Sequence, residues 1–385
     1  MADGSIESLG FPLVYRAASQ TPDGSLGASG RQSFRSKFRA LEGMQKEALV
    51  TDRRTGVCWR MVCDEGAYLN GSDLSAFPLG FFAAGAAFSF TKELFSHARV
   101  AGVTLRDYEL KLATFYALEG SALRGDMTGH SLPAKIAVSV TSGASEDVVA
   151  ELLAATRRSC PVQACMEQKL TNTFALYRNG ERVDSGAVPS SEASDLLDPL
   201  AEIAAASPET STHSLTNALE KLPFTKPPST DHASLAGSSY SDEQKRTLHI
   251  DTVCTVTADD VIEARTRPIR PNGSLFRFRS DLTDQGRAPS PLAYLSAGIG
   301  FCYMTQIGRF VVITKKDLSA YSVIQDTQLT VEDGVARFEP VDTHTFLTTD
   351  EDVKAAQDVQ SMGEQTCFLH AASRETNSSE ITVET

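Results

Sequence analysis

The sequence lacks every cysteine pattern that marks a disulfide framework or a zinc site. It has seven cysteines, an odd number, with neither a Cys-x-x-Cys pair nor a Cys/His cluster at metal-ligand spacing. Scattered thiols of this kind are typical of a reducing compartment, so we expect a cytoplasmic protein with reactive or buried thiols and no metal ion. A glycine-rich phosphate-binding loop is missing as well, and we expect no bound cofactor.

Positive charge and long apolar runs are also scarce. Lysine and arginine number 36 against 49 aspartates and glutamates, which gives a formal net charge of -13. This charge argues against a nucleic acid or an anionic membrane surface as a partner. We expect no apolar run of membrane-spanning length. Residues 1–10 contain neither the basic region nor the apolar core of a secretory signal, so we expect no such signal.

The most apolar stretch of the chain lies at residues 290–310. Ser290 suits a helix N-cap and Pro291 suits the first helical position, and most residues that follow are apolar. A helix without a polar face is normally surrounded by other elements, so we predict a buried helix. Cys302 lies in its middle, and a lone buried cysteine is by default a packing residue.

The same sequence pattern occurs a second time, at residues 77–90. This stretch also begins near a proline and continues with small residues and a bulky apolar flank. The eleventh residue after Pro291 is Cys302, and the eleventh residue after Pro78 is Ser89. The chain therefore contains an internal repeat.

The repeat continues downstream in alternating stretches that predict strands and amphipathic stretches that predict helices. These stretches cover residues 103–115, 145–158, 318–331 and 349–360. Each helix ends near a cysteine, Cys160 in the first copy and Cys367 in the second. The spacing is 71 residues from Ser89 to Cys160 and 65 residues from Cys302 to Cys367. Two copies of one domain account for this order.

Residues 184–245, between the copies, are rich in Ser, Thr, Pro and Ala, which is typical of an interdomain linker. We expect short helices over residues 195–206 and 215–222 to dock on a domain. The rest of the chain divides into an irregular lead, a first domain and a second domain, at residues 1–30, 31–183 and 246–385.

The order of strands, a buried helix with a central cysteine, further strands, a helix and a Cys-Pro turn resembles the OsmC/Ohr family of cysteine-dependent peroxidases. The resemblance covers both domains. The first copy keeps the turn as Cys160-Pro161, but Ser89 stands where the family has its reactive cysteine.

The second copy keeps both cysteines, Cys302 and Cys367, and departs from the family at the turn. Phe368 stands in place of the usual proline, and His370 stands near the usual serine. These departures make unaltered peroxidase chemistry less secure.

The resemblance implies an α+β fold in which curved antiparallel sheets surround central helices. Family members usually intertwine two subunits and build paired sites at their interface. A tandem chain is therefore expected to form a pseudo-dimer within itself, with a further homo-oligomer left open. The site around Cys302 is then expected to be competent, and the site around Ser89 to lack its nucleophile.

By the same resemblance, Cys302 attacks the terminal oxygen of a hydroperoxide and becomes a sulfenic acid. Cys367 resolves it as a disulfide, which an external thiol reductant then reduces. Apolar residues near both cysteines favour a small hydrophobic substrate, namely an organic hydroperoxide.

A reactive thiol needs a nearby positive charge, and the family supplies an arginine together with a carboxylate. We name Arg279 and Asp284 for these roles. The further candidates are Arg277, Arg287, Asp281, Arg35 and Arg39.

Two other functions stay open. His370 follows Cys367 by three residues, which places both on one face of a helix. A cysteine nucleophile with a histidine base is also the catalytic pair of a hydrolase that cleaves an ester or carbon–carbon bond. His344 is a second candidate base. The third alternative is a non-catalytic binding module, which suits the half that carries Ser89.

Overall fold

A computed structural model describes residues 4–22, 31–209, 214–215, 217–225, 239–240, 246–283 and 285–384. They form a mixed α+β fold with two large sheets and a set of helices. The first half contains α1 (Ile6–Leu9), β1 (Val14–Ala17), β2 (Arg31–Ala40), β3 (Lys46–Asp52), β4 (Cys58–Cys63), a short 3-10 helix (Ala67–Leu69), α2 (Pro78–Val100), β5 (Leu105–Ser121), β6 (Thr128–Ser142), α3 (Glu146–Ser159), α4 (Pro161–Glu167), β7 (Thr173–Arg178) and β8 (Glu181–Val183). The second half contains α5 (Leu200–Ala205), β9 (Leu219–Lys221), β10 (Ser239–Tyr240), β11 (Arg246–Val256), β12 (Val261–Arg270), β13 (Phe276–Asp281), α6 (Pro291–Thr314), β14 (Ala320–Glu332), β15 (Val335–Phe338), β16 (Asp342–Thr348), α7 (Val353–Thr366), α8 (Phe368–Arg374) and β17 (Glu380–Glu384).

Both predicted central helices are confirmed. Pro78 and Pro291 occupy the first helical position of α2 and α6, and Ser290 caps α6 by accepting a hydrogen bond from Ala293 N at 3.2 Å. Both helices run beyond the apolar stretches that predicted them. They pack against each other in a core cluster that contains residues of both halves.

The length of α6 corrects one expectation, since we expected no run of membrane-spanning length. At 24 residues, α6 is long and apolar enough to cross a membrane. In the fold, 72% of its most apolar window is buried inside the protein. Because α6 is mostly buried, its apolar composition is that of a core helix. The cytoplasmic location stays a prediction.

Each sheet combines strands from both halves. One sheet has the order β1-β4-β3-β2-β14-β16-β7-β8, with β15 paired to β14, and the other has the order β17-β6-β5-β11-β12-β13-β9, with β10 paired to β5. Strands of the two halves pair antiparallel in β2 with β14 and in β5 with β11, and parallel in β16 with β7 and in β17 with β6. The halves therefore share their hydrogen-bonded sheets, and the division of the chain into two domains stays a prediction.

Glycine lets the two central helices touch backbone to backbone. A β-carbon at Gly85 would lie 2.8 Å from Pro291 O, and a β-carbon at Gly298 would lie 2.8 Å from Phe82 N. No other residue type fits such a close approach without a shift of the chain. Ser89 and Cys302 each lie one helical turn beyond these glycines, so the helix contact also sets their positions.

Segments outside the repeat dock on the sheets. In the lead, β1 pairs with β4, and Ile203 of α5 packs against Tyr15 and Leu49. Helix α5 lies within the helix predicted over residues 195–206. The helix predicted over residues 215–222 is wrong, because residues 219–221 form β9 and pair with the outer side of β13. This pairing satisfies backbone groups that the edge of the sheet would otherwise leave open.

We expect Gly298→Ala to destabilise the protein by about 1–3 kcal/mol, because the added methyl group meets backbone atoms of α2 that cannot rotate away. Urea unfolding followed by circular dichroism measures the change. Gly143→Ala is the control, since nothing lies within 4 Å of the β-carbon that it adds. Equal losses in the two variants would show that the helix contact is not the constraint.

Candidate active site

The structure brings Cys302 and Cys367 together across 65 residues of sequence. Cys302 lies in the middle of α6 and is 2% exposed, whereas Cys367 precedes α8 as its N-cap and is 0% exposed. Their side chains interact, and the interaction favours the ionised form of Cys367 over that of Cys302. All seven cysteines are free, so the pair is in its dithiol form.

The two thiols of this pair differ in acidity. Burial raises the pKa of Cys302 well above its usual value, and the neighbouring Cys367 raises it further. Burial also acts to raise the pKa of Cys367, but Cys302, the His370 side chain and the His370 amide outweigh it and bring the pKa well below its usual value. The His370 amide lies 3.5 Å from the sulfur. Ionisation of this pair is therefore favoured at Cys367 over Cys302.

A cavity of about 30 Å³ borders Cys302. Cavities of this size hold roughly two water-sized groups. The apolar part of its wall comes from both halves of the chain: Leu69, Phe77, Pro78, Leu79, Leu248, Ile250, Pro268, Pro271 and Phe368. The phenylalanine at position 368, where the family pattern has proline, thus adds to the apolar wall beside the thiol.

Glu65 is the acidic group of this cavity as the structure describes it, and no sequence pattern indicated its role. It follows β4 in the first half, is 4% exposed, and accepts a hydrogen bond from Thr305 Oγ1 of α6 at 2.9 Å. Burial raises the pKa of Glu65 to about 7, against the opposing effect of Lys46 and the Thr305 hydrogen bond. Near neutral pH the carboxyl group can therefore both hold and release a proton.

Two buried cations stand near Glu65. Lys46, at the start of β3, is 1% exposed and donates to Met44 O, and its charge favours the ionised form of Glu65. Arg309 of α6 donates from Nη1 to Gln306 Oε1 at 2.7 Å and acts on Glu65 in the same direction. The only sequence signal for Lys46 and Glu65 was their place at strand ends, which many surface charges share.

Three of the predicted activating residues are held in ion pairs. Arg279 Nε lies 3.4 Å from Glu263 Oε2, Arg277 pairs with Glu220 and Glu263, and Arg287 Nε lies 2.8 Å from Asp281 Oδ1. None of these three arginines is among the described residues that line the Cys302 cavity. Asp284 lies outside the described residues.

The arginines of the first half are also held in ion pairs. Arg35 donates to both carboxylate oxygens of Asp326, at 2.8 and 2.6 Å, and Arg39 pairs with Glu47. Neither side chain is part of the wall of the Cys302 cavity as the structure describes it. The activating role that we predicted for an arginine stays a prediction.

The two candidate histidine bases have different surroundings. His370 is fully buried beside Cys367, with its ring 5.4 Å from the rings of Phe174 and Tyr303. His344 lies on β16, where Nδ1 is 3.1 Å from the Tyr177 hydroxyl and Nε2 is 3.2 Å from an Asp342 oxygen. The structure thus brings His370, and not His344, to the dithiol.

A larger cavity, of about 270 Å³, surrounds Ser89. Ser89 Oγ lies 3.4 Å from Cys160 Sγ, so this pair occupies the place that the two thiols occupy on the other side. Burial raises the pKa of Cys160 to about 11. The Ser89 pair therefore has no partner thiol of lowered pKa like Cys367.

No protein-family model matches the sequence, and no curated protein matches it. Among solved structures, the chain is similar to an OsmC-like hydroperoxide resistance protein from Jannaschia sp. CCS1. The similarity covers 30% of this chain and 79% of that chain, at 22% identity and a TM-score of 0.20. A likeness of this extent carries no argument about the reaction.

We expect the stability difference between the wild-type protein and Glu65→Gln to depend on pH. Because the pKa of Glu65 rises from 4.5 to about 7 on folding, its favourable contribution is complete below pH 4.5 and is lost as the pH rises through 7. The wild type should therefore lose up to about 3 kcal/mol relative to the variant over this range. Urea unfolding at a series of pH values measures the difference. Glu332→Gln, at an exposed carboxyl group, is the control; a flat difference for Glu65→Gln would contradict the expectation.

Proposed function

We propose that the protein is a thiol-dependent peroxidase that reduces organic hydroperoxides through Cys302 and Cys367. The observation that carries this proposal is the buried dithiol, in which one thiol borders an apolar cavity and the other is strongly acidic. A pair of adjacent cysteines with unequal acidity is suited to form a sulfenic acid and then a disulfide.

We further propose that the chain is a tandem pair of OsmC-like domains that intertwine as a pseudo-dimer. The strand orders support this, because β4-β3-β2-β14-β16-β7 in one sheet matches β13-β12-β11-β5-β6-β17 in the other, element by element. The last pair of strands in each series is parallel, β16 with β7 and β6 with β17. The reciprocal contacts of Gly85 and Gly298 agree with an approximate twofold axis between α2 and α6.

In the first step, the Cys302 thiol gives its proton to the Cys367 thiolate. The Cys302 sulfur then attacks the terminal oxygen of the hydroperoxide and breaks the O–O bond, which oxidises the sulfur to a sulfenic acid. Glu65 lies in the wall of the same cavity and gives its proton to the leaving alkoxide, which departs as the alcohol. The carboxyl pKa of about 7 suits this donation near neutral pH.

In the second step, the Cys367 sulfur attacks the sulfur of the sulfenic acid. A disulfide forms, and the hydroxide that leaves combines with the Cys367 proton as water. Two electrons have then passed from the dithiol to the hydroperoxide, and an external thiol reductant returns them. The mostly apolar wall favours hydroperoxides with a hydrocarbon group over hydrogen peroxide.

The hydrolase alternative has one supporting observation, the place of His370 beside Cys367. In that reaction Cys367 or Cys302 would attack a carbonyl carbon and form an acyl-enzyme. However, neither Cys367 nor His370 belongs to the described wall of the Cys302 cavity. We therefore keep the hydrolase as the second candidate, and the same experiment tests it.

We expect the reduced protein to lose two hydrogen atoms when it reacts with tert-butyl hydroperoxide, and a peptide map to contain Cys302 joined to Cys367. Intact and peptide mass spectrometry measure both. Cys302→Ser should reduce peroxide consumption to the uncatalysed rate. Cys367→Ser should react more slowly, because it lacks the acceptor of the Cys302 proton, and should stop after one equivalent of peroxide, with a sulfenic acid at Cys302.

Cys254→Ser is the control for this series, because Cys254 is a buried thiol of β11 whose pKa burial raises to about 12. It should leave peroxide consumption unchanged. If Cys302 stays a free thiol after excess hydroperoxide, the peroxidase proposal is wrong. An acyl adduct on Cys302 or Cys367 after incubation with activated esters would then favour the hydrolase.

We expect Ser89→Cys, made in a Cys302→Ser protein, to restore no peroxidase activity. The introduced thiol would stand beside Cys160, but burial raises the pKa of Cys160 to about 11, so no partner thiolate accepts the proton of the new thiol. Thiol-coupled peroxide consumption measures the outcome. A gain of activity would show that the Ser89 cavity differs from the Cys302 cavity by the nucleophile alone.

A further inference from the structure

The Ser89 cavity is far larger than the cavity beside Cys302, at about 270 Å³ against about 30 Å³. Protein interiors are close-packed and hold few voids larger than a water molecule. An apolar cavity of roughly 150 Å³ takes up benzene. By this measure the Ser89 cavity has room for a molecule of about two rings.

The cavity has a buried floor that is mainly apolar. Three neighbouring strands of one sheet, β2, β3 and β4, contribute side chains to it, and residues at the start of α6 add to it. Trp59 and Val50 are direct partners across β4 and β3, so their side chains lie on the same face of the sheet. The buried apolar residues of this floor, each at most 5% exposed, are Phe34, Val50, Trp59, Ala288, Leu292 and Ala293.

Ser89 supplies a hydroxyl group at this floor. It is 4% exposed, and its Oγ lies 3.4 Å from Cys160 Sγ. A hydroxyl group both donates and accepts, so one contact with a thiol leaves it a further hydrogen bond to make. No histidine belongs to the wall as the structure describes it, so Ser89 lacks the histidine base that activates a serine nucleophile. The hydroxyl group is therefore suited to bind an oxygen atom of a ligand and not to attack it.

The cavity opens to solvent beside the turn between β3 and β4. Arg54 and Thr55 of this turn belong to the wall and are exposed, and Val57 at the end of the turn is half-buried. The apolar floor behind them is buried. The cavity thus has an entrance through which a small molecule can reach the floor from solvent.

The charged groups of the described wall balance one another. Asp281 Oδ1 lies 2.8 Å from Arg287 Nε, and Oδ2 accepts hydrogen bonds from the amides of Arg287 and Ala288, so this charge is compensated within the fold. The remaining charged groups are two carboxylates and two cations, namely Asp52, Glu93, Arg54 and Lys92. An ionic ligand needs an excess of opposite charge to offset the loss of its hydration. The wall has no such excess, which favours an uncharged ligand.

We propose that the Ser89 cavity is a non-catalytic binding site for an uncharged, mainly apolar molecule of about two rings, with one hydroxyl or carbonyl oxygen that forms a hydrogen bond with Ser89. Aromatic and alicyclic alcohols and ketones belong to this class. The apolar body of the ligand packs against Trp59 and Phe34 of the floor. The described walls of the Ser89 and Cys302 cavities share no residue, so this binding is independent of the proposed peroxidase reaction.

Trp59 offers a direct probe of this cavity, because the sequence contains one tryptophan. In protein labelled with fluorotryptophan, fluorine NMR should therefore show one signal, from the cavity floor. We expect naphthol, an uncharged alcohol with two fused rings, to shift this signal in a saturable way. Naphthalene sulfonate and naphthylmethylammonium carry the same rings with a negative and a positive charge, and each should bind about tenfold more weakly or worse. The proposal is wrong if naphthol causes no saturable shift, or if either charged probe binds as tightly as naphthol.

A substitution that fills the cavity tests where naphthol binds. Val57→Phe should weaken naphthol binding by roughly tenfold or more, because the added ring takes up part of the cavity. Val100→Phe is the matched control, since Val100 is 84% exposed at the end of α2 and is not among the described lining residues. Equal affinities in the two folded variants would overturn the proposal. Circular dichroism and urea unfolding establish that each variant is folded.

Ser89→Ala is a milder variant that covers the case in which Val57→Phe does not fold. It should lower the affinity for naphthol by about threefold to tenfold, through loss of one hydrogen bond, and leave the affinity for naphthalene unchanged. An unchanged affinity for naphthol would contradict the hydrogen bond with Ser89 and so the proposed ligand class. None of these readouts uses a hydroperoxide or a thiol reagent, so a failure of the binding site is distinguishable from a failure of the peroxidase function.

Discussion

The backbone contact between α2 and α6 is the constraint on which the rest of the structure depends. Gly85 and Gly298 let the two helices approach until main-chain atoms touch, and Ser89 and Cys302 follow one turn later on each helix. The two sheets pack their strands around this pair of helices in one core cluster. A greater distance between the two helices would move Cys302 relative to Glu65. Glu65 belongs to the first half and contacts α6 through the hydrogen bond that it accepts from Thr305.

The two cavities at this helix pair differ in the chemistry that their side chains allow. Around Cys302, an acidic partner thiol, a carboxyl group with a pKa of about 7 and a mostly apolar wall come together. Around Ser89, the volume is about 270 Å³ against about 30 Å³, and the thiol of Cys160 keeps its proton. The two cavities therefore differ in volume and in the acidity of the neighbouring thiol, as well as in the serine or cysteine that borders them.

Local signals predicted much of the fold, and long-range pairing limited the prediction of the site. The proline starts of α2 and α6, and the spacing that leads to Cys302 and Cys367, depend on residues close in sequence or on one repeat. Glu65 lies 240 residues from its partner Thr305, so no local pattern connected it with the thiols. Arg279 was named because the family resemblance implies an arginine near the reactive thiol, whereas the described wall of the Cys302 cavity includes residues of the first half, such as Glu65 and Phe77, that no local pattern connects with Cys302.

The joint between β2 and β14 also bears on how the chain is synthesised. Arg35 of β2 and Asp326 of β14 form an ion pair across 291 residues of sequence. The edge of β2 that pairs with β14 therefore stays unpaired until most of the protein has been made. Until then the growing polypeptide presents an open strand edge, the kind of surface that pairs with other chains. Such non-local pairing is slow to form. The open strand edge of the first half therefore needs protection from other chains during translation, in addition to the stability that the finished protein needs.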